Sequence, residues 1–355
     1  ERIRQIADKA EEILQEKGFS DKFYSYMEKG WYSLATPVWL NFGLDRGLPI
    51  SCYGIDIQDD TYDILRANSE IGAFTKNAGG TAGYFGKLRP RGAKIRNNGV
   101  SNGSVSFMQP FQTTSNIITQ GQARRGYFAA YLDADHGDVE EFLECREEGN
   151  TIQDISLGLC FSDEFMQKAM EGDKRRTKNL SRFHRKRDET GFPYAYFTDN
   201  VNRQRPQVYK DKGMLLKTSQ MCTEIMEYVD DEVSFVCCLS SQNMLFFDDW
   251  KDTDATEVLT KFLYAVYEDF IANENRLTIK RAVSNLKIPY LIIHGDNDTS
   301  VSLDEAKQLH QWNSNSQLKI MQDANHVFGA QHPWDKPELP HHLKDVITRV
   351  KNFLS

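Results

Sequence analysis

The chain has 355 residues, of which 40% are hydrophobic and 26% charged, with a formal net charge of −8. These values fit a folded chain with room for two domains and exclude the disordered and membrane-dominated classes. The acidic balance also argues against a nucleic-acid partner, because a phosphate-binding face needs a basic excess.

No apolar run approaches the roughly 18 residues of a membrane span, and no leader with a basic start and apolar middle opens the chain, so a cytoplasmic protein with no membrane partner is expected. The first residues, ERIRQ, lack an initiator methionine and suggest a piece of a longer protein. In chain order, Ile3, Ile6, Ala7, Ala10, Ile13 and Leu14 recur at helical spacing, and Gly18 supplies a stop. Residues 32–57 mix β-branched, aromatic and turn residues and read as strands and loops. Glycine-rich NAGGTAGYFGKL and RGAKIRNNGVSNGSVSF follow, either as close approaches of backbone to a ligand or as plain turns.

A helix is expected over about 108–118, then the polar loop TQGQARRG, the strand-like YFAAYLD and a helix in DVEEFLECREE with Val139, Phe142 and Leu143 on one side. The run KRRTKNLSRFHRKRD, residues 174–188, reads as a solvated helix or loop rather than a nucleic-acid patch. A further helix ends near residue 271. Beyond it, LKIPYLIIHGDNDTSV, SLDEAKQLHQW, LKIMQDANHVF and HHLKDVITRVKNFL alternate strand and helix, the grammar of a parallel, doubly wound sheet. The expected domains are therefore 1–273 and 274–355.

Six cysteines, at 52, 145, 160, 222, 237 and 238, lie in a chain expected in a reducing compartment. They suit buried apolar positions, metal ligands or redox groups better than structural disulfides, and no C-x-x-C pair supports a metal site. In TSQMCTEI, Cys222 stands two residues before Glu224. A neighbouring carboxylate raises a thiol's pKa, which disfavours thiolate attack. The alternatives are a buried structural cysteine, or one-electron chemistry in which a neutral thiol loses a hydrogen atom while the carboxylate serves as base.

TSQMCTEI followed by VCCLSS resembles the active-site stretch of the large, catalytic subunit of class I ribonucleotide reductases. LATPVWLN and ISCYGIDIQDD resemble that family's substrate loop and first redox cysteine, FGKLRPRGAKIR and TQGQARRGYFAAY its two effector-specificity loops, and TGFPYAYFTDNVNR is similar too. The matches run in family order across residues 1–271. The resemblance implies an α/β fold, here part of a ten-stranded barrel with a finger loop, and thiyl-radical reduction of ribonucleoside diphosphates to deoxyribonucleotides, the step that supplies DNA replication.

On that resemblance, Cys222 is the radical cysteine and Glu224 the base, while Cys52 and Cys237 form the pair that becomes a redox-active disulfide. Gln220 replaces the family's substrate-bonding asparagine, a longer arm with the same amide. Thr36, Ser51, Gly79 and Gly80 fall where substrate is held. Asp59, Asp60, Thr61, Arg89 and Arg96 match the effector site, and Gln120 and Arg124 the loop that relays effector identity. No intrinsic cofactor or metal is implied. The implied partners are a radical-generating, metal-bearing small subunit, a dithiol reductant such as thioredoxin or glutaredoxin, deoxynucleotide or ATP effectors, and a second copy in a homodimer. The chain alone is expected to lack turnover.

The last 80 or so residues differ in kind: IPYLIIHGDNDTSV and DANHVFG resemble the end of an α/β-hydrolase of the esterase or serine-peptidase type, with Asp298 as triad acid and His326 as triad base. The G-x-S-x-G pattern occurs at GVSNG, around Ser101, which follows no apolar strand and reads as a chance match. Two other readings stay open, a serine hydrolase-like chimera and a non-catalytic nucleotide-binding protein.

Overall fold

The computed structural model describes residues 1–96, 99–118, 124–230, 233–274, 287–313, 315–330 and 336–354. The chain divides into units Glu1–Leu277 and Thr278–Ser355. In the first unit the strands are β1 (Tyr32–Leu34), β2 (Cys52–Asp56), β3 (Gly80–Tyr84), β4 (Phe128–Asp133), β5 (Ser156–Phe161), β6 (Tyr194–Phe197), β7 (Phe235–Cys237) and β8 (Ser240–Gln242). Six of them form one sheet in the order β6-β5-β4-β3-β2-β7. The five from β2 to β6 run parallel, and β7 returns antiparallel to β2. A separate antiparallel pair joins β1 to β8.

Successive side chains on a strand point to opposite faces. One parity (Tyr53, Ile55, Phe128, Ala130, Leu132, Leu157, Leu159 and Phe161) enters the main hydrophobic core. There it meets the apolar sides of the helices Arg2–Leu14, Phe19–Glu28, Thr61–Lys76, Ser104–Ile117 and Ala255–Asn273. Tyr53 stacks on Phe74 with ring centroids 4.4 Å apart, and Phe23 on Phe262 at the same separation. Each such ring stabilises the fold by about 1.5–3 kcal/mol relative to leaving it exposed.

The other parity forms an inner face of a different character. Tyr84, Tyr131, Cys160 and Tyr196 make a second buried cluster with Ala82 and Ala129, covered by Met221 and Met226. Small residues alternate with the large ones in register: Gly54 lies opposite Ala82, Ala82 opposite Ala129, and Tyr131 opposite Gly158. A methyl group at Gly158 would stand 2.3 Å from the Tyr131 ring, so only glycine admits that tyrosine.

The helix expected near 108 begins at Ser104, after Gly103 at φ 82°. Its first N–H is capped from a distance, because Ser104 N donates to Asp138 Oδ2 at 2.8 Å. The basic run forms the helix Lys174–Thr190. Its cations answer acids on the preceding segment: Lys178 and Arg182 bond Glu140 at 2.8 and 2.7 Å, and Lys186 bonds Glu147 at 2.6 Å. The exposed Lys178–Glu140 pair contributes about 0–1 kcal/mol, whereas the Lys186 ammonium is buried and needs its carboxylate partner.

The second unit contains β9 (Tyr290–Gly295) and β10 (Ser316–Met321), paired in parallel from Tyr290↔Ser316 to Gly295↔Met321, with the helix Leu303–Trp312 between them and the helix His341–Leu354 after. Replacing Gly158 by alanine is expected to destabilise the first unit by about 1–3 kcal/mol, the usual result of forcing a methyl into a packed core. Chemical denaturation followed by tyrosine fluorescence reads that loss, and an unchanged midpoint would contradict the packing described for the inner face.

Candidate active site

Residues 218–225 cross the inner face as a loop. Thr218, Ser219 and Gln220 are buried, and Cys222 is exposed at the tip. Thr223 N donates to Gln220 O at 3.2 Å, which closes a tight turn around Met221 and Cys222. Thr223 holds φ 62°, a left-handed conformation uncommon for a β-branched residue. The Gln220 amide is used inside the loop. Its Oε1 accepts from Cys222 N at 2.5 Å and its Nε2 donates to Glu224 Oε1 at 3.0 Å, so one side chain ties the cysteine backbone to the carboxylate. The residue expected to bond a ligand is thus tied within the loop, to the Cys222 backbone and the Glu224 carboxylate.

Cys52 opens β2 and Cys237 ends β7, and the antiparallel register sets them directly opposite each other. Ser51 N donates to Cys237 O at 2.9 Å just before the pair. The Cys237 thiol hydrogen-bonds Cys52, which lowers the Cys52 pKa. Burial opposes this, and Arg124 and the Met221 N–H reinforce it. The same bond, with burial, drives Cys237 well above an ordinary thiol, so Cys52 is the more acidic member. Cys222 is raised by partial burial, with Cys52 and Glu224 adding to the shift. The finger loop, β2 and β7 thus bring three thiols and one carboxylate into a common electrostatic neighbourhood.

The remaining cysteines differ. Cys145 and Cys238 are pushed up to about 12 by burial, and Cys160, fully enclosed, lies well above its ordinary value. Cys238 follows Cys237 in sequence, yet the pleat sends it into the helix-side core. No group of three or more His, Cys, Asp or Glu among the described residues is placed to hold a metal ion. No helix among them is long and apolar enough to cross a membrane.

Gly80 N donates to Ser51 O at 2.8 Å, and a methyl at Gly80 would reach 3.0 Å from Met221, so Ser51, Gly80 and the loop adjoin. Gly79 lies against Tyr53 on the opposite side, where a methyl would come within 2.1 Å of the ring. Thr36 is exposed at the start of the short helix Thr36–Asn41. Ser51 Oγ is buried without a hydrogen-bond partner, a polar group free to meet a ligand.

A separate cleft of about 190 Å³ is lined by Asp59, Asp60, Thr61, Arg89, Ser101 and Asn102, among others. Arg89 Nε bonds Asp59 Oδ2 at 2.7 Å, and Asp60 caps the helix that follows it. Arg96 is exposed at φ 33° and does not line this cleft. Gln120 lies outside the described residues. Arg124, expected with the effector loop, is placed at the thiols, where Nη2 donates to Ser51 O at 3.5 Å. Sequence reasoning missed Tyr131, whose hydroxyl reaches the finger loop. The alternation in YFAAYLD marks it as facing away from Phe128, Ala130 and Leu132, which is the available signal.

In the second unit, His326 Nδ1 and Asp298 Oδ2 are 2.8 Å apart, and Asp298 Oδ1 accepts from Ser300 N and Val301 N. Burial works against the Asp298 charge, but those two amides and His326 outweigh it and bring the pKa down to about 2. The pair is a hydrogen-bonded acid and histidine, as the sequence expectation placed them. Ser101, the sequence candidate for nucleophile, donates to Arg89 O at 3.3 Å and accepts from Gly103 N at 3.0 Å. It follows the isolated bridge Lys94↔Val100, and among the described residues no buried strand leads into it, as a nucleophile elbow requires.

Cys237→Ala removes the hydrogen-bond donor to Cys52, so the Cys52 thiolate is expected to form at higher pH than in the parent chain. Arg124→Met acts in the same direction through its lost positive charge. Ultraviolet thiolate absorbance against pH, with Cys222 blocked, measures this; an unmoved titration would refute the pairing.

The family model for the ribonucleotide reductase barrel domain matches residues 50–180 and 178–283. A Frog virus 3 protein named as a ribonucleoside-diphosphate reductase large subunit is 29% identical over 271 residues, covering 71% of this chain and 47% of that protein. The Arabidopsis thaliana large subunit is 29% identical over 262 residues, covering 61% and 32% respectively. Among solved structures, the Actinobacillus ureae class Id ribonucleotide reductase alpha subunit superposes with a TM-score of 0.72 at 47% identity, over 77% of this chain and 51% of that one. The chain therefore spans about half, or less, of the length of these relatives, and the family match ends at residue 283. None of these matches supports the hydrolase-like reading of the second unit, and a single histidine–carboxylate contact does not establish it. With the curled half-barrel sheet and all three facing thiols inside the matched span, the chain belongs to the ribonucleotide reductase large-subunit barrel family.

Proposed function

We propose that the first unit is the thiol-bearing half of a ribonucleoside-diphosphate reductase catalytic subunit. The observation that supports this most is the Cys52–Cys237 register opposite a loop presenting Cys222 and Glu224. In this reading Cys222, as a thiyl radical, takes the 3′ hydrogen atom of the ribose and later returns it. Glu224 accepts the 3′-hydroxyl proton, which Gln220 positions it to do. The 2′-hydroxyl leaves as water while Cys52 and Cys237 supply two electrons and two hydrogens. The sum is one ribonucleotide and two thiols going to one deoxyribonucleotide, one disulfide and one water.

The radical would come from a metal-bearing small subunit, and an external dithiol such as thioredoxin or glutaredoxin would reset the disulfide by exchange. The lowered pKa of Cys52 suits it to be the first of the pair to act as thiolate. Ser51, Gly80 and Thr36 would hold substrate, the first through its unpaired hydroxyl and the second through backbone approach. The cleft at Asp59, Asp60, Thr61 and Arg89 would take a nucleoside triphosphate effector, with the arginine leaving Asp59 for phosphate oxygens.

Two measurements test this. A ribonucleoside diphosphate at about ten times its dissociation constant should slow alkylation of Cys222 about ten-fold, because only the unoccupied fraction reacts. No protection by any ribonucleotide would overturn the reading. Deoxynucleoside triphosphate binding should weaken by about ten-fold or more in Arg89→Ala, the loss expected for a charge-assisted phosphate contact. Unchanged titration calorimetry would remove the effector role from that cleft.

A further inference from the structure

The inner face carries a tyrosine whose position is more demanding than core filling. Tyr131 is fully buried in β4, with its ring in the slot opened by Gly158. Its hydroxyl lies 2.7 Å from Gln220 O and 2.6 Å from Thr223 Oγ1. The carbonyl can only accept, so the phenol donates to it and receives the threonine proton in return. Gln220 O also accepts the Thr223 N–H that closes the turn, so phenol and turn converge on one carbonyl.

That carbonyl and that hydroxyl are the two ends of the turn carrying Cys222. Thr223 at φ 62° is held in a conformation that a β-branched residue keeps only when its surroundings enforce it. The Gln220 side chain extends from the same anchor to Cys222 N and to Glu224. We propose that Tyr131 is a positioning residue which, through its hydroxyl, clamps both ends of the 220–223 turn and so sets the Cys222 thiol and the Glu224 carboxylate in a fixed relation. The inference rests on the reading of Cys222 as the reactive thiol, and it assigns the scaffold rather than the chemistry. A phenylalanine would fill the same volume, so what separates this role from packing is the oxygen alone.

The experiment is iodoacetamide alkylation of the full chain, followed residue by residue by mass spectrometry across a pH series. Cys222 is exposed, whereas the other five cysteines are buried and supply internal controls. In Tyr131→Phe, release of the turn frees the exposed thiol from the partial burial and the fixed Cys52 and Glu224 neighbours that raise its pKa. Cys222 is then expected to react about three-fold faster near neutral pH, its larger thiolate fraction being partly offset by lower nucleophilicity. Adding Thr223→Asn, a residue that accepts left-handed backbone, should return the rate and pH profile toward those of the parent. Thr223→Val should reproduce the acceleration and add little to Tyr131→Phe.

An unchanged Cys222 rate and pH profile in Tyr131→Phe, with unchanged circular dichroism, would overturn the proposal. So would an equal acceleration of all six cysteines, since that marks general loosening. No nucleotide or turnover enters the measurement, so loss of nucleotide protection at Cys222 and loss of this clamp are separately visible.

Discussion

The constraint on which the first unit depends is the parity of its pleat. Each strand from β2 to β5 sends one set of residues into a helix-covered apolar core and the other to an inner face of glycine, alanine, cysteine and tyrosine. A shift of one residue in any of these strands would exchange the two sets, so burial of Tyr53, Ile55, Phe128 and Leu132 fixes the register. That register then dictates, with no further freedom, that Cys52 faces Cys237 and that Tyr131 faces the loop. Core packing and site geometry are one specification, written on alternate residues.

Polar groups on the inner face extend this economy. The Gln220 carbonyl, the Tyr131 hydroxyl and the Thr223 hydroxyl pair with one another, and the Gln220 amide pairs with Cys222 N and Glu224, so a turn that would be unstable alone is held in a protein interior. Buried polar networks of this kind are favourable only when their members are paired, because an unpaired group carries its full desolvation penalty. Ser51 Oγ, next to the thiols, and Tyr196 Oη are exceptions among the described residues.

Much of this was legible in the sequence where the signal is local. The Cys-x-Glu spacing, the first helix, the strand YFAAYLD and the ordered family motifs each reside within a short window. What was hidden depends on residues distant in the chain. The helix at Ser104 starts early because Asp138, on another segment, caps it. The basic run 174–188 looks solvated by composition, and its partners Glu140 and Glu147 appear only once the segments pack. Arg124 sits in a loop that reads as effector-related, while its guanidinium reaches Ser51 across 73 positions. Gln220 differs from the expected asparagine by one methylene, and its amide bonds both Cys222 N and Glu224. Cys237 and Cys238 are indistinguishable in a string of letters, and the pleat alone separates them.

The β2–β7 pairing has a consequence for stability if its two cysteines become joined. Cys52 and Cys237 lie at opposite ends of most of the first unit, so joining them would close a loop of roughly 185 residues and remove conformational freedom from the unfolded chain worth about 5 kcal/mol in the chain-entropy picture. β7 is also the terminal strand of its sheet and only three residues long, and such a strand is held weakly by hydrogen bonds alone. An oxidised chain would then be a stapled and sturdier object than the reduced one, whose sheet edge is at its loosest.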